Sequence, residues 1–231
     1  AIAISVAAAM ANLQVNEDET CQLTLRVLNE SGQPTPAVVR FQDATGQTLK
    51  VAEPLSRGVG LEDDLPIHDW YALPNSATVT VPRGSVSVSA FSGLETETAS
   101  VSVDTTGETA TATIKLKTFW DRKKNRLVSG NTHLHIMKLS RQDCDRYLAE
   151  IPKADDLDVL FLSHLERADA DRTYISNKYN KGDLDGLTAK TGVVFGNGEE
   201  HRHNFSGFGA GYGHVMLLNI KELIQPVSIG P

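Results

Sequence analysis

Long hydrophobic runs are missing from this chain. No apolar stretch reaches the roughly 20 residues that a membrane-spanning helix needs. Cysteine is nearly absent: Cys21 and Cys144 lie far apart, decide nothing about the compartment, and are expected to be two buried thiols. Positive charge is scarce in the first half. Residues 1–118 carry 7 Lys/Arg against 14 Asp/Glu, whereas residues 119–231 carry 15 of each. An acidic first half argues against nucleic acid or an anionic membrane surface as a partner. No Ser-His-Asp elbow and no reactive-cysteine motif is present. The glycine run Gly207, Gly209, Gly211, Gly213 is not the phosphate-cradling pattern, which needs a strand before it and a helix after it; it reads as a flexible loop, a candidate lid.

The 231 residues, 40% hydrophobic and 22% charged, suit a soluble globular protein with one large domain or two small ones. Residues 1–11 admit two readings. Ala9-Met10-Ala11 fits the small-x-small pattern of a signal-cleavage site, while Ile2, Ile4 and Val6 would share one face of a first strand. The first reading, with no initiator Met, gives the expectation of a processed, periplasmic or secreted protein; otherwise it is cytoplasmic.

Two patterns of periodicity divide the chain. Alternation with period 2 at Thr78–Val81, Ser85–Ser89, Ala99–Val103 and Ala112–Leu116 predicts half-buried strands. Earlier strands are expected at Cys21–Leu28, Ala37–Gln42 and Thr48–Val51, with residues 52–76, including His68, as a long loop over the sheet. Residues 1–118 are therefore expected to form an antiparallel β-sandwich. Phe119–Arg126 marks the junction, its basic cluster expected to be a solvated linker. Beyond it, strands at Leu127–His135, Val159–Ser163, Gly192–Phe195 and His214–Asn219 alternate with helical signals at Ser140–Ile151 and Ile220–Ile224. That alternation predicts an α/β unit over residues 119–231, with functional residues at the C-terminal ends of its strands.

Six of the seven histidines lie between residues 133 and 214. His133 and His135 are two apart on a predicted strand, so both imidazoles point to one face and can converge on one ion. In extended chain Glu200, Arg202 and Asn204 share one face, and Glu199, His201 and His203 the other. Either glutamate can be the acidic ligand on residue type alone.

Ser-Gly-Asn131-Thr-His133-Leu-His135 resembles the opening motif of the polymerase-and-histidinol-phosphatase (PHP) metal domain. Leu162-Ser163-His164 is similar to its second motif, Gly198-Glu199-Glu200 to its Gly-x-Glu, and Gly213-His214-Val215 to the Gly-His strand that follows. The run from Gly198 to Leu218 most resembles the branch with carbaryl- and microcin-related hydrolases. Residues 20–118 look like the carboxypeptidase-regulatory-like sandwich that often precedes it. Asn131 and Ser163 stand where the family has Asp, and no His or Asp follows His214, where the family has later ligands.

The resemblance implies an incomplete (βα) barrel after the sandwich. It implies His133, His135, His164, Glu200 and His214 as ligands of divalent ions (Mn, Zn or Fe), with His133, His135 and Glu200 as catalytic residues. It favours Glu200 over Glu199, and His201 and His203 are then polar residues at the mouth of the site. The implied activity is metal-dependent hydrolysis of phosphoester, ester, amide or carbamate bonds in a small-molecule substrate; the chain is expected to be the N-terminal part of such an enzyme, with little or no activity until further residues or a second chain complete the barrel. The rival expectation is a non-catalytic binding module for glycan or protein.

Overall fold

In a computed structural model the chain is described over residues 19–204 and 211–228. Readings that fall on residues 1–11, and most of the glycine run after Asn204, lie outside the described residues. Among the described residues, twelve strands and two α-helices make a mixed, mostly sheet fold.

The first eight strands are β1 (Thr20–Leu28), β2 (Ala37–Gln42), β3 (Leu55–Ser56), β4 (Tyr71–Leu73), β5 (Ala77–Pro82), β6 (Ser85–Phe91), β7 (Ala99–Asp104) and β8 (Thr109–Lys115). They form a three-stranded sheet in the order β5-β1-β8 and a five-stranded sheet in the order β3-β4-β2-β6-β7. Period-2 alternation turns Leu23, Leu25, Val79, Val81, Ala112 and Ile114 of the first sheet toward Val39, Phe41, Val86 and Val88 of the second. These side chains are almost wholly withdrawn from water. Each buried Leu or Phe contributes about 2 kcal/mol before ordering entropy is charged against it.

Three details differ from the expected antiparallel sandwich. The β7–β8 connection crosses from one sheet to the other, and β8 lands on the free edge of β1 running parallel to it, Leu25 opposite Ala112. Thr48–Val51 is not a strand; only a single bridge joins Gln42 to Thr48. Part of the expected loop 52–76 instead pairs, as β3 and β4, on the edge of the larger sheet.

The remaining strands, β9 (Gly130–Leu134), β10 (Val159–His164), β11 (Val194–Asn204) and β12 (Gly211–Leu218), make one sheet in the order β12-β11-β10-β9. β9, β10 and β11 are parallel, and β12 returns antiparallel. The sheet curls like half of a barrel. Helices α1 (Arg141–Ala154) and α2 (Lys181–Thr191) cover one face. Ser140 caps α1, its Oγ accepting from the Asp143 amide at 3.1 Å. Asn180 and Asp183 form a reciprocal capping box on α2. Cys144 and Leu148 of α1 and Leu184 and Leu187 of α2 bury against Leu160, Leu162 and Phe195. Residues 220–224 are not helical. No helix among the described residues is long and apolar enough to cross a membrane.

The sandwich and this sheet are joined by a packed interface. Ile151 and Ala154 of α1 bury against Val38, Leu55 and Ala72. Arg57 reaches Asp155 at 2.8 Å. The expected solvated linker holds an exception: Arg122 is only 4% exposed. Its guanidinium is bound by Glu95 of the sandwich at 3.2 Å, and by Asp156 and Asp158 ahead of β10 at 2.5 and 2.9 Å. A buried guanidinium is tolerated only when paired in this way.

Candidate metal centre

The face of the β9–β12 sheet away from the helices carries the site. The pleat decides which residues reach it. On β11, Phe195, Asn197, Glu199 and His201 alternate with Gly196, Gly198, Glu200 and Arg202. Phe195 packs under α2, so its set points to the helices and the Glu200 set to the open face. The open face is low near its floor. A Cβ on Gly196 would lie 2.6 Å from the Phe161 ring, so glycine there lets that ring lie across the strand.

Glu200 is wholly buried, yet four basic side chains meet it. His135 Nε2 lies 2.7 Å from Oε2 and His133 Nε2 3.3 Å from the same oxygen. His214 Nδ1 is 2.6 Å from Oε1. Arg202 spans the carboxylate, Nε to Oε1 at 2.7 Å and Nη2 to Oε2 at 3.2 Å. The two imidazole Nε2 atoms are themselves 3.0 Å apart. His133, His135 and Glu200 each present a donor atom, and all three lie within 4.8 Å of one another. Among the described residues theirs is the metal-competent cluster; His214 joins it through the other oxygen of Glu200.

Electrostatics prepare these groups as ligands. Burial pushes the Glu200 carboxyl up, but hydrogen bonds from Arg202 and His135 outweigh it and hold its pKa down to about 2. Glu200 is therefore ionised at neutral pH. Burial lowers the pKa of His135, with the Glu200 contact opposing, which favours the neutral imidazole that metal coordination needs. Two imidazoles and a carboxylate are a donor set suited to Zn, and equally to Fe or Mn. Their separations of 2.7–3.3 Å sit slightly inside the roughly 3.3–3.5 Å expected between ligands 2.0–2.2 Å from one tetrahedral ion. The residues fit a divalent ion.

Asn131 and Ser163 both support the strand of the histidines. Asn131 Oδ1 accepts from the His133 amide at 3.0 Å. Ser163 Oγ donates to the Thr132 carbonyl at 3.4 Å.

His164 is not in the cluster. It stands opposite Glu199 in the β10–β11 register and follows Leu160 and Leu162 onto the helix-side face. Its Nε2 lies 3.7 Å from Glu166 Oε1, and burial lowers its pKa. The expectation that it shares the ion with His133 fails because the pleat turns it to the opposite side. Glu199 also faces away. It is wholly buried, accepting from His201 at 2.7 Å and from the Ile224 and Ser228 amides at 2.8 and 2.9 Å. His201 is thus a buried partner of Glu199 and not a residue at the mouth of the site. The His203 side chain lies outside the described residues. His68 is remote, its Nε2 2.8 Å from the Glu62 carbonyl oxygen.

Sequence reasoning placed Arg202 on the Glu200 face but gave it no role. The i, i+2 spacing on an extended segment was the signal that could have paired the two. A scan against protein-family models and a search of curated proteins found no match to this chain.

Proposed function

We propose that the chain is a metal-dependent hydrolase whose centre is built on His133, His135 and Glu200, with His214 beside them. The observation that carries this is the convergence of two imidazole Nε2 atoms, 3.0 Å apart, on one buried carboxylate. The ordered resemblance of four motifs to the PHP metal domain supports it. On that resemblance the β9–β12 sheet corresponds to the opening part of a (βα) barrel, and the scissile bond is a phosphoester, ester, amide or carbamate.

His133, His135 and Glu200 would hold a divalent ion, which would supply Lewis-acid polarisation of the attacked group and activation of water at neutral pH. The chain's own groups do the rest. Glu200 contributes a full negative charge from a site closed to water. His135, only 15% exposed on its side chain, is the fixed imidazole; His133, at 45%, stands at the solvent side, where substrate arrives. His214 Nδ1, 2.6 Å from Glu200 Oε1, helps to fix the carboxylate in place. Arg202 balances the carboxylate charge and presents a second cation beside an anionic group such as a phosphoester.

One observation favours the rival reading, a non-catalytic binding module. Arg202 already occupies both oxygens of Glu200, as a structural ion-pair cluster would. Metal titration followed by turnover separates the two. A hydrolase takes up Zn(II) or Mn(II) and turns over bis(p-nitrophenyl) phosphate or p-nitrophenyl acetate, and His135→Ala loses both. A binding module takes up no metal and turns over neither substrate.

A further inference from the structure

A cavity that His135 shares with the proposed centre takes its walls from both halves of the chain. It encloses about 300 Å³. On one side are Val59, Leu61 and Leu65, from the segment between β3 and β4 of the sandwich. On the other are Ile136, Met137 and Leu139, from the link between β9 and α1, with His135 at the shared boundary. Leu61, Leu65 and Met137 are 50%, 40% and 51% exposed, so the apolar lining is open to entry and not sealed core.

The two walls are held against each other. Gly60 has φ +80°, and a Cβ there would lie 2.7 Å from Leu139 Cδ2. Only glycine takes this left-handed conformation at little cost while leaving room for the leucine. Arg57 anchors the start of the segment on Asp155 at 2.8 Å. Arg146 of α1 donates to the Glu53 carbonyl just before β3 at 3.0 Å. The segment is therefore pinned beside the link that follows the His-x-His.

Charge at this cavity is limited. Arg57 is neutralised by Asp155, and Glu62 and Lys138 contribute one charge of each sign. A wall that is apolar and balanced in charge selects an uncharged apolar group. Three hundred cubic ångströms is in the range of small-ligand pockets and accommodates a single aromatic ring or a short branched alkyl chain.

We infer that the segment 57–65 of the sandwich is the specificity element of the proposed hydrolase, and that its substrate carries a neutral aryl or branched alkyl group lying between Leu61 and Met137 while the scissile group meets His133, His135 and Glu200. This rests on the hydrolase reading above. It gives the sandwich a part in substrate choice, whereas its lack of clustered catalytic groups suggests only a carrier.

The chain holds three methionines, which makes the test direct. Met137 lines the cavity, and Met216 stands opposite Glu200 in the β11–β12 register, on the face of the metal centre. Methyl-13C-methionine is incorporated into the full 231-residue chain, and Zn(II) and benzamide are titrated separately. Zn(II) is expected to shift the Met216 methyl, and benzamide to shift Met137 saturably. Leu61→Asp, at a half-exposed position that tolerates charge, should abolish the benzamide shift. Zinc-loaded protein should then bind benzohydroxamate about tenfold more tightly than acetohydroxamate, from the apolar area the ring buries. Leu61→Asp should remove that preference. A Met137 methyl indifferent to benzamide, or a preference that survives Leu61→Asp, overturns the inference. A Met216 methyl indifferent to zinc, with Met137 still responding to benzamide, overturns the hydrolase reading instead and leaves an apolar-ligand pocket without a metal centre.

Discussion

Arg202 and Glu200, two residues apart on β11, face each other across a bidentate contact of 2.7 and 3.2 Å. The guanidinium occupies both oxygens of the carboxylate that His133 and His135 also approach. Arg202 is therefore a built-in competitor for any cation the site accepts, and also the neutraliser that lets Glu200 be buried and ionised without a metal.

A first prediction follows for Arg202→Gln. Charge-assisted hydrogen bonds to a carboxylate are worth about 1.5–3 kcal/mol, and freeing Glu200 from them should raise Zn(II) affinity about tenfold. Without metal, the same variant should melt at a lower temperature, because a buried carboxylate loses its countercharge. Isothermal titration and thermal melts with and without zinc measure both. Equal zinc affinity in Arg202→Gln and the parent would show that Glu200 is not a ligand.

The neighbouring glutamates should separate cleanly. Glu200→Gln should lose metal binding while the fold persists. Glu199→Gln should keep it but lose about 1–3 kcal/mol of stability, because Glu199 ties His201 to the Ile224 and Ser228 amides. Metal uptake and urea unfolding of both variants decide this; the reverse pattern would exchange the roles of the two residues.

What the sequence disclosed follows physical range. The strands from Thr78 onward announced themselves because each buries one face, so alternation is written locally. β3 and β4, of two and three residues, are too short to carry a period. The parallel pairing of β1 with β8 joins segments some 85–90 residues apart, and no local pattern records it. At the site, i, i+2 geometry was enough to set His133 with His135 and to divide Glu200 from Glu199. It failed for His164 because β10, Val-Leu-Phe-Leu-Ser-His, is apolar on both faces. A strand buried on both sides gives no clue to which face meets the helices. The resemblance carried His164 into the ligand set, and only the register of β10 on β11 removes it. Arg122 was hidden by its company: Lys123, Lys124 and Arg126 are exposed beside it, and nothing local marks the one cation that folds inward.

Arg122 should be a keystone between sandwich and sheet. Arg122→Leu leaves Glu95, Asp156 and Asp158 facing each other without a countercharge and should cost about 3 kcal/mol, in the range for breaking a buried pair. The pH dependence has a defined sign. The hydrogen bond from Arg122 holds the Asp158 carboxyl below its usual range, with burial opposing. The stability this supplies is fully present above the unfolded aspartate value of about 3.9 and is lost as pH falls through the lower folded value. Unfolding free energy measured from pH 6 down to pH 2.5 should fall in the parent, and fall less in Arg122→Leu. Parallel pH profiles would place Asp158 outside the network.

Metal content tests the proposed centre most directly. The 231-residue chain, dialysed against Zn(II) or Mn(II) and then against metal-free buffer at neutral pH, is analysed by inductively coupled plasma mass spectrometry alongside His133→Ala, His135→Ala and Glu200→Gln. The parent is predicted to retain close to one divalent ion per chain, from its three-donor cluster, and each variant to retain far less while keeping the parent's circular dichroism. A parent that holds no metal above the level of Glu200→Gln, with its fold intact, would contradict the metal centre and leave His133, His135, Glu200 and Arg202 as an ion-pair cluster of a binding module.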